Sequence, residues 1–89
     1  MNFITESDRI YLNDENGKMI AEVTFPIRDG IANIDHTFVD DSLRGQGVAG
    51  KLLELAIESI EKQNLKVVPM CSYAKVWFEK HPGKSDLLK

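Results

Sequence analysis

Residues that build metal centres and covalent cross-links are scarce in this sequence. Among its 89 residues there is one cysteine, Cys71, and there are two histidines, His36 and His81. A single cysteine excludes an intrachain disulfide and a thiolate cluster, and the histidines show no spacing that would join them in a metal site. We therefore expect no metal, and a reducing, cytoplasmic location is the default.

A surplus of basic residues and a long apolar run are also missing. The formal net charge is −3, whereas a nucleic-acid-binding protein needs a basic field to meet phosphates. The apolar stretches fall far short of the roughly 20 residues that cross a bilayer, and residues 1–6 lack the features of a signal peptide. We expect one domain over residues 1–89, a monomer or weak homodimer, with neither nucleic acid nor membrane as a partner.

The first 39 residues have the alternating polar and apolar pattern of β-strands. Three strands are predicted, over 9–13, 18–25 and 31–39, separated by turn signals at 14–17 and 28–30. Pro26 ends the second strand or marks a sheet edge. In the third strand, strict alternation predicts that His36 and Phe38 share a face with Ala32 and Ile34. Three strands joined by two short turns make an antiparallel meander.

The pattern becomes helical from Val48 onward, where apolar residues recur at three-to-four spacing. Gln63–Asn64 is the predicted end of this long helix, and the valine-rich run 65–70 is a predicted buried strand. Ser72 is the expected N-cap of a short helix ending near Lys80, and 84–89 is expected to be a loosely held or disordered tail. Because the long helix connects the third strand to the fourth, these two strands are predicted to lie parallel. The fold class is mixed α/β.

Glycines 45, 47 and 50 form a loop between the third strand and the long helix, and they fit more than one motif. As a dinucleotide fingerprint the loop lacks a strand that enters the first glycine directly and an acidic residue about 20 positions later. As a triphosphate cradle it lacks the hydroxyl after Lys51, where Leu52 stands. Both interpretations are disfavoured.

A third interpretation rests on the run Arg44-Gly45-Gln46-Gly47-Val48-Ala49, which precedes the amphipathic helix. A helix N-terminus offers unpaired N–H groups and a partial positive charge, which together bind phosphates, and glycine lets the backbone approach closely. Arg44 is a candidate for a charge-assisted contact or for holding the loop. A glycine-rich helix start that binds nothing is the alternative, but it leaves the entropic cost of the glycines unexplained.

The same run resembles the signature of the GNAT superfamily of acetyl-coenzyme A (acetyl-CoA)-dependent N-acetyltransferases: Arg or Gln, two residues, Gly, one residue, then Gly or Ala. The similarity extends over most of the chain to a very short, single-domain GNAT subfamily. It is carried by four segments in order: IDHT at 34–37, GQGV at 45–48, CSYAK at 71–75 and EKHP at 79–82. The resemblance implies a minimal GNAT-like fold.

The resemblance further implies acetyl-CoA or CoA as the co-substrate. The strand before the loop would offer backbone groups to the pantetheine arm through Phe38 and Val39. The expected cofactor-binding residues are Phe38, Val39, Arg44, Gly45, Gln46, Gly47, Val48 and Ala49.

Catalytic residues are harder to assign, because Phe78 falls at the position where the family often has a proton-donating tyrosine. Cys71 is a candidate for an acetyl-cysteine intermediate or a proton donor, since it stands where the last strand meets the last helix; a small buried apolar role is equally open. His36 is a candidate general base, against the alternative of a packed core histidine. Tyr73 is a weaker candidate acid.

Larger GNAT proteins carry helices between their first two strands, whereas a four-residue turn stands here. We therefore expect an open acceptor groove suited to an amine of a protein, a peptide or a small molecule. The predicted function is N-acetyl transfer from acetyl-CoA to an amine. The alternatives are a non-catalytic CoA-binding module and a partner-binding domain.

Overall fold

The computed structural model describes residues 1–89 and contains seven strands and two α-helices. The strands are β1 (Ile4–Glu6), β2 (Arg9–Asn13), β3 (Met19–Thr24), β4 (Ile27–Arg28), β5 (Ile31–Ile34), β6 (His36–Val39) and β7 (Lys66–Pro69). The helices are α1 (Val48–Lys62) and α2 (Ser72–Lys80), and 3₁₀ turns span Asp41–Leu43 and Pro82–Leu87. This order confirms the predicted α/β fold class and adds the short strands β1 and β4.

The strands form two sheets. The first has the order β1-β2-β3-β6 with every pair antiparallel, and the second has the order β4-β5-β7. Strand β7 lies parallel to β5, as predicted from the helical connection between them. The predicted meander and the parallel fourth strand are therefore both confirmed.

A break at Asp35 divides the predicted third strand into β5 and β6 and transfers the chain from one sheet to the other. Both Asp35 and His36 oppose Thr24, and the Asp35 N–H donates to the Thr24 carbonyl at 3.3 Å. This extra residue is a β-bulge, which shifts the alternation by one position. The prediction that His36 and Phe38 share the buried face of Ile34 is therefore wrong, because both side chains lie on the exposed outer face.

One core joins the inner face of the first sheet to α1, whose apolar stripe produces the predicted amphipathic pattern. Asn64 adopts the left-handed conformation (φ 58°) just after α1, which confirms the predicted helix end. The buried core residues are Ile10, Leu12, Ala21, Val23, Phe25, Ala32, Ile34, Val48, Leu52, Leu53, Ala56, Ile57, Ile60, Val67, Ala74 and Phe78. Neither helix has the length and apolar character needed to cross a membrane.

The last residues differ from the loosely held tail that the sequence predicts. After the 3₁₀ turn, Leu88 forms a parallel bridge with Val67, and the Lys89 N–H donates to the Val67 carbonyl at 2.9 Å. The Lys84 ammonium lies 2.9 Å from a carboxylate oxygen of Glu61 on α1. Leu87 and Leu88 pack against the core, and this apolar contact holds the segment in place.

Candidate functional site

The glycine loop connects β6 to α1 through a 3₁₀ turn that Asp40 caps. The Asp40 carboxylate accepts the N–H of Ser42 at 3.0 Å, and hydrogen bonds from the side chain and backbone of Ser42 hold the pKa of Asp40 below its ordinary value. Arg44 is exposed and forms an ion pair of 2.8 Å with Asp41. Gly47 then takes the left-handed conformation (φ 70°, ψ 21°) at the N-cap of α1, a conformation that glycine adopts without steric cost.

Several backbone N–H groups at this loop have no hydrogen-bond acceptor. No protein atom accepts the N–H groups of Gly45, Gly47, Val48, Ala49 and Gly50, and Gly47 has no side chain that could cap the helix. The first helical hydrogen bond runs from the Lys51 N–H to the Gly47 carbonyl at 3.1 Å. The positive end of the α1 dipole is therefore presented together with several free donors, which is the arrangement that binds phosphates.

Two clefts open on either side of these amides. The smaller, about 210 Å³, lies between Val39 at the end of β6, the loop and Tyr73. The larger, about 670 Å³, runs between the first turns of α1 and the outer side of α2, where Trp77 and Lys80 line it. Both clefts share Tyr73 and the start of α1, so they adjoin at the loop, and we refer to the two together as the groove.

In the larger cleft, the ring of His81 stacks on the indole of Trp77. Their centroids are 3.9 Å apart with an interplanar angle of 12°, and the His81 Nδ1 lies 2.7 Å from the Trp77 carbonyl oxygen. Lys51 lines the same cleft from α1. The sequence does not reveal this pair, because stacking across one helical turn leaves no motif.

β7 pairs with β5, whereas β6, which follows the bulge, belongs to the other sheet and does not pair with β7. The edge of β6 that points away from β3 therefore has no strand partner, and we call the space beside it the gap. The Asp40 N–H donates to the Ile20 carbonyl at 2.8 Å, which fixes the phase of the β3–β6 ladder. The backbone groups of Phe38 therefore face β3, and those of Thr37 and Val39 face the gap. Of the predicted pair Phe38 and Val39, only Val39 offers its backbone to the gap, and Thr37 is a second residue that the unbroken alternation could not reveal.

Cys71 lies at the end of this gap and caps α2. The N–H groups of Met70 and Cys71 both donate to the Ile34 carbonyl, at 2.8 and 3.1 Å, which ties the residue to the last position of β5. The Cys71 sulfur accepts the N–H of Ala74 at 3.4 Å and lies 3.3 Å from the Thr37 hydroxyl. The N-cap is therefore Cys71, not the predicted Ser72, because Cys71 has the extended backbone of a cap and Ser72 is already helical.

His36 occupies the opposite side of β6 from Cys71. It is opposite Thr24, whereas the next residue, Thr37, is opposite the buried Val23. The His36 side chain is 54% exposed, and its Nε2 lies 3.7 Å from Glu22. Glu22 also accepts a hydrogen bond from Arg9, which raises the pKa of that guanidinium. The structure therefore places His36 beside the Arg9–Glu22 ion pair on the outer face and not in contact with the Cys71 thiol.

Tyr73 and Phe78, the aromatic residues discussed for the proton donor, lie in different environments. Tyr73 is half exposed and lines both clefts beside the loop. Phe78, at the position where the resemblance implies a tyrosine in larger relatives, is buried in the core and meets Trp77 edge-on at 5.0 Å. No three metal-ligating side chains lie close enough together to hold a metal ion.

Comparison with known proteins identifies relatives of this chain. The family model described as GCN5-related N-acetyltransferase matches residues 9–87. The solution structure of a GCN5-like candidate N-acetyltransferase from Staphylococcus aureus is 36% identical, with a TM-score of 0.77; the match covers 99% of this chain and 87% of that one. No protein with a curated description matches the chain in sequence.

Larger structures share the fold. A protein solved as a candidate phosphinothricin N-acetyltransferase is 26% identical with a TM-score of 0.61, and the match covers 86% of this chain and 56% of that one. Rv2747 from Mycobacterium tuberculosis, solved in complex with CoA and NLQ, is 15% identical with a TM-score of 0.64 over 84% of this chain and 47% of that one. This chain thus spans about half the length of these larger proteins.

The family match extends from β2 into the last 3₁₀ turn, and it includes the bulged strand, the glycine loop and the capped helix α2. The Staphylococcus aureus relative shows that the fold occurs at nearly the same length. The chain therefore belongs to the GCN5-related N-acetyltransferase family.

Proposed function

We propose that this protein transfers the acetyl group of acetyl-CoA to an amine, and that its glycine loop binds the pyrophosphate of the coenzyme. The observation that carries the proposal is the set of five N–H groups at residues 45 and 47–50 that donate to no protein atom. Unpaired donors at a helix N-terminus favour a phosphate ligand. Exposed Arg44 lies on the same loop, where its guanidinium forms an ion pair with Asp41 and has further N–H donors for a phosphate.

The groove on either side of the loop suits the two ends of the coenzyme. The 670 Å³ cleft has the size of a small-molecule site, and its stacked rings of Trp77 and His81 suit a purine base. Lys51 and Lys80 line this cleft and suit the phosphate on the ribose. The nucleotide end therefore belongs in this cleft, and the pantetheine arm runs through the smaller one toward the gap at β6.

The gap between β6 and β7 fits an arm that carries amide groups. The backbone of Thr37 and Val39 faces it with one N–H and one carbonyl each, and such groups need partners when they are shielded from water. An amide-bearing arm supplies those partners in the manner of an added strand. Its far end then lies beside the Cys71 sulfur, which contacts Thr37.

The surroundings of Cys71 favour a nucleophile over a packing residue. Its sulfur accepts the Ala74 N–H at the start of α2 and lies beside the Thr37 hydroxyl, so polar groups from two elements hold it at the far end of the proposed arm. In the first half-reaction the sulfur bonds to the acetyl carbonyl carbon, the bond from that carbon to the coenzyme sulfur breaks, and the thiol proton ends on the coenzyme sulfur. In the second, the amine nitrogen bonds to the same carbon, the acetyl–Cys71 bond breaks, and the amine proton returns to Cys71.

His36 is suited to moving that amine proton. Its exposed imidazole lies on the outer face of β6, next along the chain to Thr37, and α1 packs against the opposite, inner face of the sheet. An amine that approaches from this side meets His36 before it reaches the gap. This role belongs to the second half-reaction, because the amine takes part only in that step.

The proposal is tested by titrating CoA and acetyl-CoA in a calorimeter and then assaying acetyl transfer to peptide, polyamine and small-amine acceptors. We expect both ligands to bind and at least one acceptor class to turn over. Binding without turnover would favour a non-catalytic CoA-binding module. The absence of binding at millimolar ligand would contradict the proposal and favour a partner-binding domain.

Substituting alanine for Gly47 is expected to weaken CoA binding by about tenfold or more, which corresponds to the loss of roughly one hydrogen bond to a charged phosphate. Alanine in the left-handed conformation costs about 1–2 kcal/mol, and relaxation of that strain turns the loop amides away from the ligand. Gly30→Ala is the matched control, because Gly30 has a φ of 76° against 70° for Gly47 and both would place the new Cβ in open space. Calorimetry that finds the two variants equal in CoA affinity would contradict the role of the loop.

Fluorescence of Trp77, the only tryptophan, is expected to change when CoA binds, because the indole lines the larger cleft. The titration midpoint should match the calorimetric dissociation constant. Pantetheine, which lacks the nucleotide, should leave the emission unchanged and serves as the control. Calorimetric binding of CoA with no change in emission would show that the nucleotide lies elsewhere.

A further inference from the structure

The Thr37 hydroxyl has one side-chain hydrogen-bond partner in the structure, the Cys71 sulfur. The Thr37 Oγ1 lies 3.3 Å from the Cys71 sulfur, a half-buried contact between residues 34 positions apart in the chain. The contact joins β6 to the N-terminus of α2, at the point where β6 and β7 separate. The Thr37 hydroxyl therefore faces the group to which the proposed function assigns the chemistry.

The Cys71 sulfur has two polar neighbours that come from different elements. The Ala74 N–H donates to it from α2, and the Thr37 hydroxyl reaches it from β6. When the sulfur is a thiol, either it or the hydroxyl can donate. When it is a thiolate it can only accept, so the hydroxyl must turn its proton toward the sulfur.

Packing alone does not require a hydroxyl at this position. Thr37 is opposite Val23, and the next residue with the same orientation, Val39, is opposite Ala21. Valine has nearly the shape of threonine and the same preference for strands, so it would serve the β6–core contact. The contact between β6 and the core therefore does not require the Thr37 hydroxyl.

We infer that Thr37 is a positioning residue for the reaction: its hydroxyl donates to the ionised Cys71 sulfur and holds that sulfur toward the gap between β6 and β7. This inference rests on the proposed function, in which Cys71 attacks the acetyl thioester. Thr37 keeps its own proton throughout. The proton that Cys71 releases ends on the coenzyme sulfur, and Thr37 contributes the orientation and stabilisation of the attacking thiolate.

Because Cys71 is the only cysteine, its reactivity can be measured without acetyl-CoA, from the rate of alkylation by iodoacetamide between about pH 5 and pH 10. Thr37→Val is expected to slow alkylation at neutral pH by roughly tenfold, the effect of one hydrogen bond to a charged group, and to move the half-maximal rate to higher pH. Thr37→Ser, which keeps the hydroxyl, should restore the rate to within about threefold of the wild-type value.

Thr24→Val is the matched control, since the Thr24 hydroxyl donates to Asp35 at 2.6 Å and not to the sulfur. It should leave the alkylation profile unchanged. Circular dichroism melts of all variants separate reactivity from loss of fold. A Thr37→Val profile that coincides with the wild-type profile, or a Thr37→Ser variant as slow as Thr37→Val, would overturn the inference.

Acetyl-transfer kinetics separate the inference from the function on which it rests. Thr37→Val should lower kcat by about the same factor as the alkylation rate and leave the acetyl-CoA dissociation constant unchanged, because the hydroxyl acts on the sulfur. If alkylation responds to Thr37 while Cys71→Ala retains full transfer activity, the thiol is positioned but is not the nucleophile. In that case the proposed mechanism fails, and the role of Thr37 in the reaction fails with it, whereas the Thr37–thiol interaction stands.

Discussion

Cys71→Ala is expected to reduce acetyl transfer by roughly 10³-fold or more, because without the nucleophile no acetyl-cysteine intermediate can form. Binding should be spared: the free amides of the loop lie in another part of the groove, so we expect the acetyl-CoA dissociation constant to stay within about twofold of the wild-type value. A variant with lost turnover and intact binding isolates the chemical role of the sulfur.

Intact mass spectrometry measures the intermediate directly. Wild-type protein mixed with acetyl-CoA in the absence of an amine should gain the mass of one acetyl group in a linkage cleaved by hydroxylamine, and Cys71→Ala should gain none. His36→Gln is the companion variant: it should acquire the acetyl group at the wild-type rate and release it to the amine more slowly. Full transfer activity in Cys71→Ala would exclude the acetyl-cysteine route and favour direct attack by the amine on acetyl-CoA.

Phe25→Ala is expected to lower the free energy of unfolding by about 3–5 kcal/mol, the cost of removing a fully buried aromatic side chain. Phe25 is 0% exposed and is the largest of the fully buried side chains, just after β3. A domain of this size has on the order of 5–15 kcal/mol of stability in total, so this one change removes a large share. The melting temperature should fall by on the order of 20 °C.

The comparison with Phe38→Ala makes this a test of burial and not of residue type. Phe38 is 37% exposed on the outer face of β6, so its removal leaves no enclosed cavity and should cost well below half as much. Urea unfolding followed by circular dichroism gives both values. Equal losses for the two variants would contradict the assignment of Phe25 to the centre of the core.

The parts of the fold that a local pattern specifies could be predicted from the sequence. The spacing of apolar residues fixed α1 from Val48 to its stop at Asn64, and the helical connection placed β7 parallel to β5. The bulge at Asp35 could not be predicted from a local pattern. A bulge depends on which strand each half of the segment pairs with, and Asp35 itself is an ordinary residue for either arrangement.

The bulge at Asp35 accounts for most of the site features that could not be predicted from the sequence. Strict alternation placed His36 with the core and hid the contact of Thr37 with Cys71, because each residue after the bulge was assigned to the wrong face. The cap at Cys71 was also missed, since serine is a far commoner cap than cysteine and Ser72 is the next residue. The loop itself needed no such information, because its glycines and the helix start are adjacent in the chain.

The separation of β6 from β7 also bears on how the protein behaves in concentrated solution. β6 is the last strand of its sheet, and the backbone of Thr37 and Val39 faces outward from it. The opposite side of β7 is bridged by Leu88, so the unpaired edge that borders the gap lies along β6, where a strand of another molecule could pair. A ligand that fills the gap covers this edge. We therefore expect CoA to act as a solubilising agent as well as a substrate, with aggregation of the ligand-free protein slowed by the same concentrations that saturate the site.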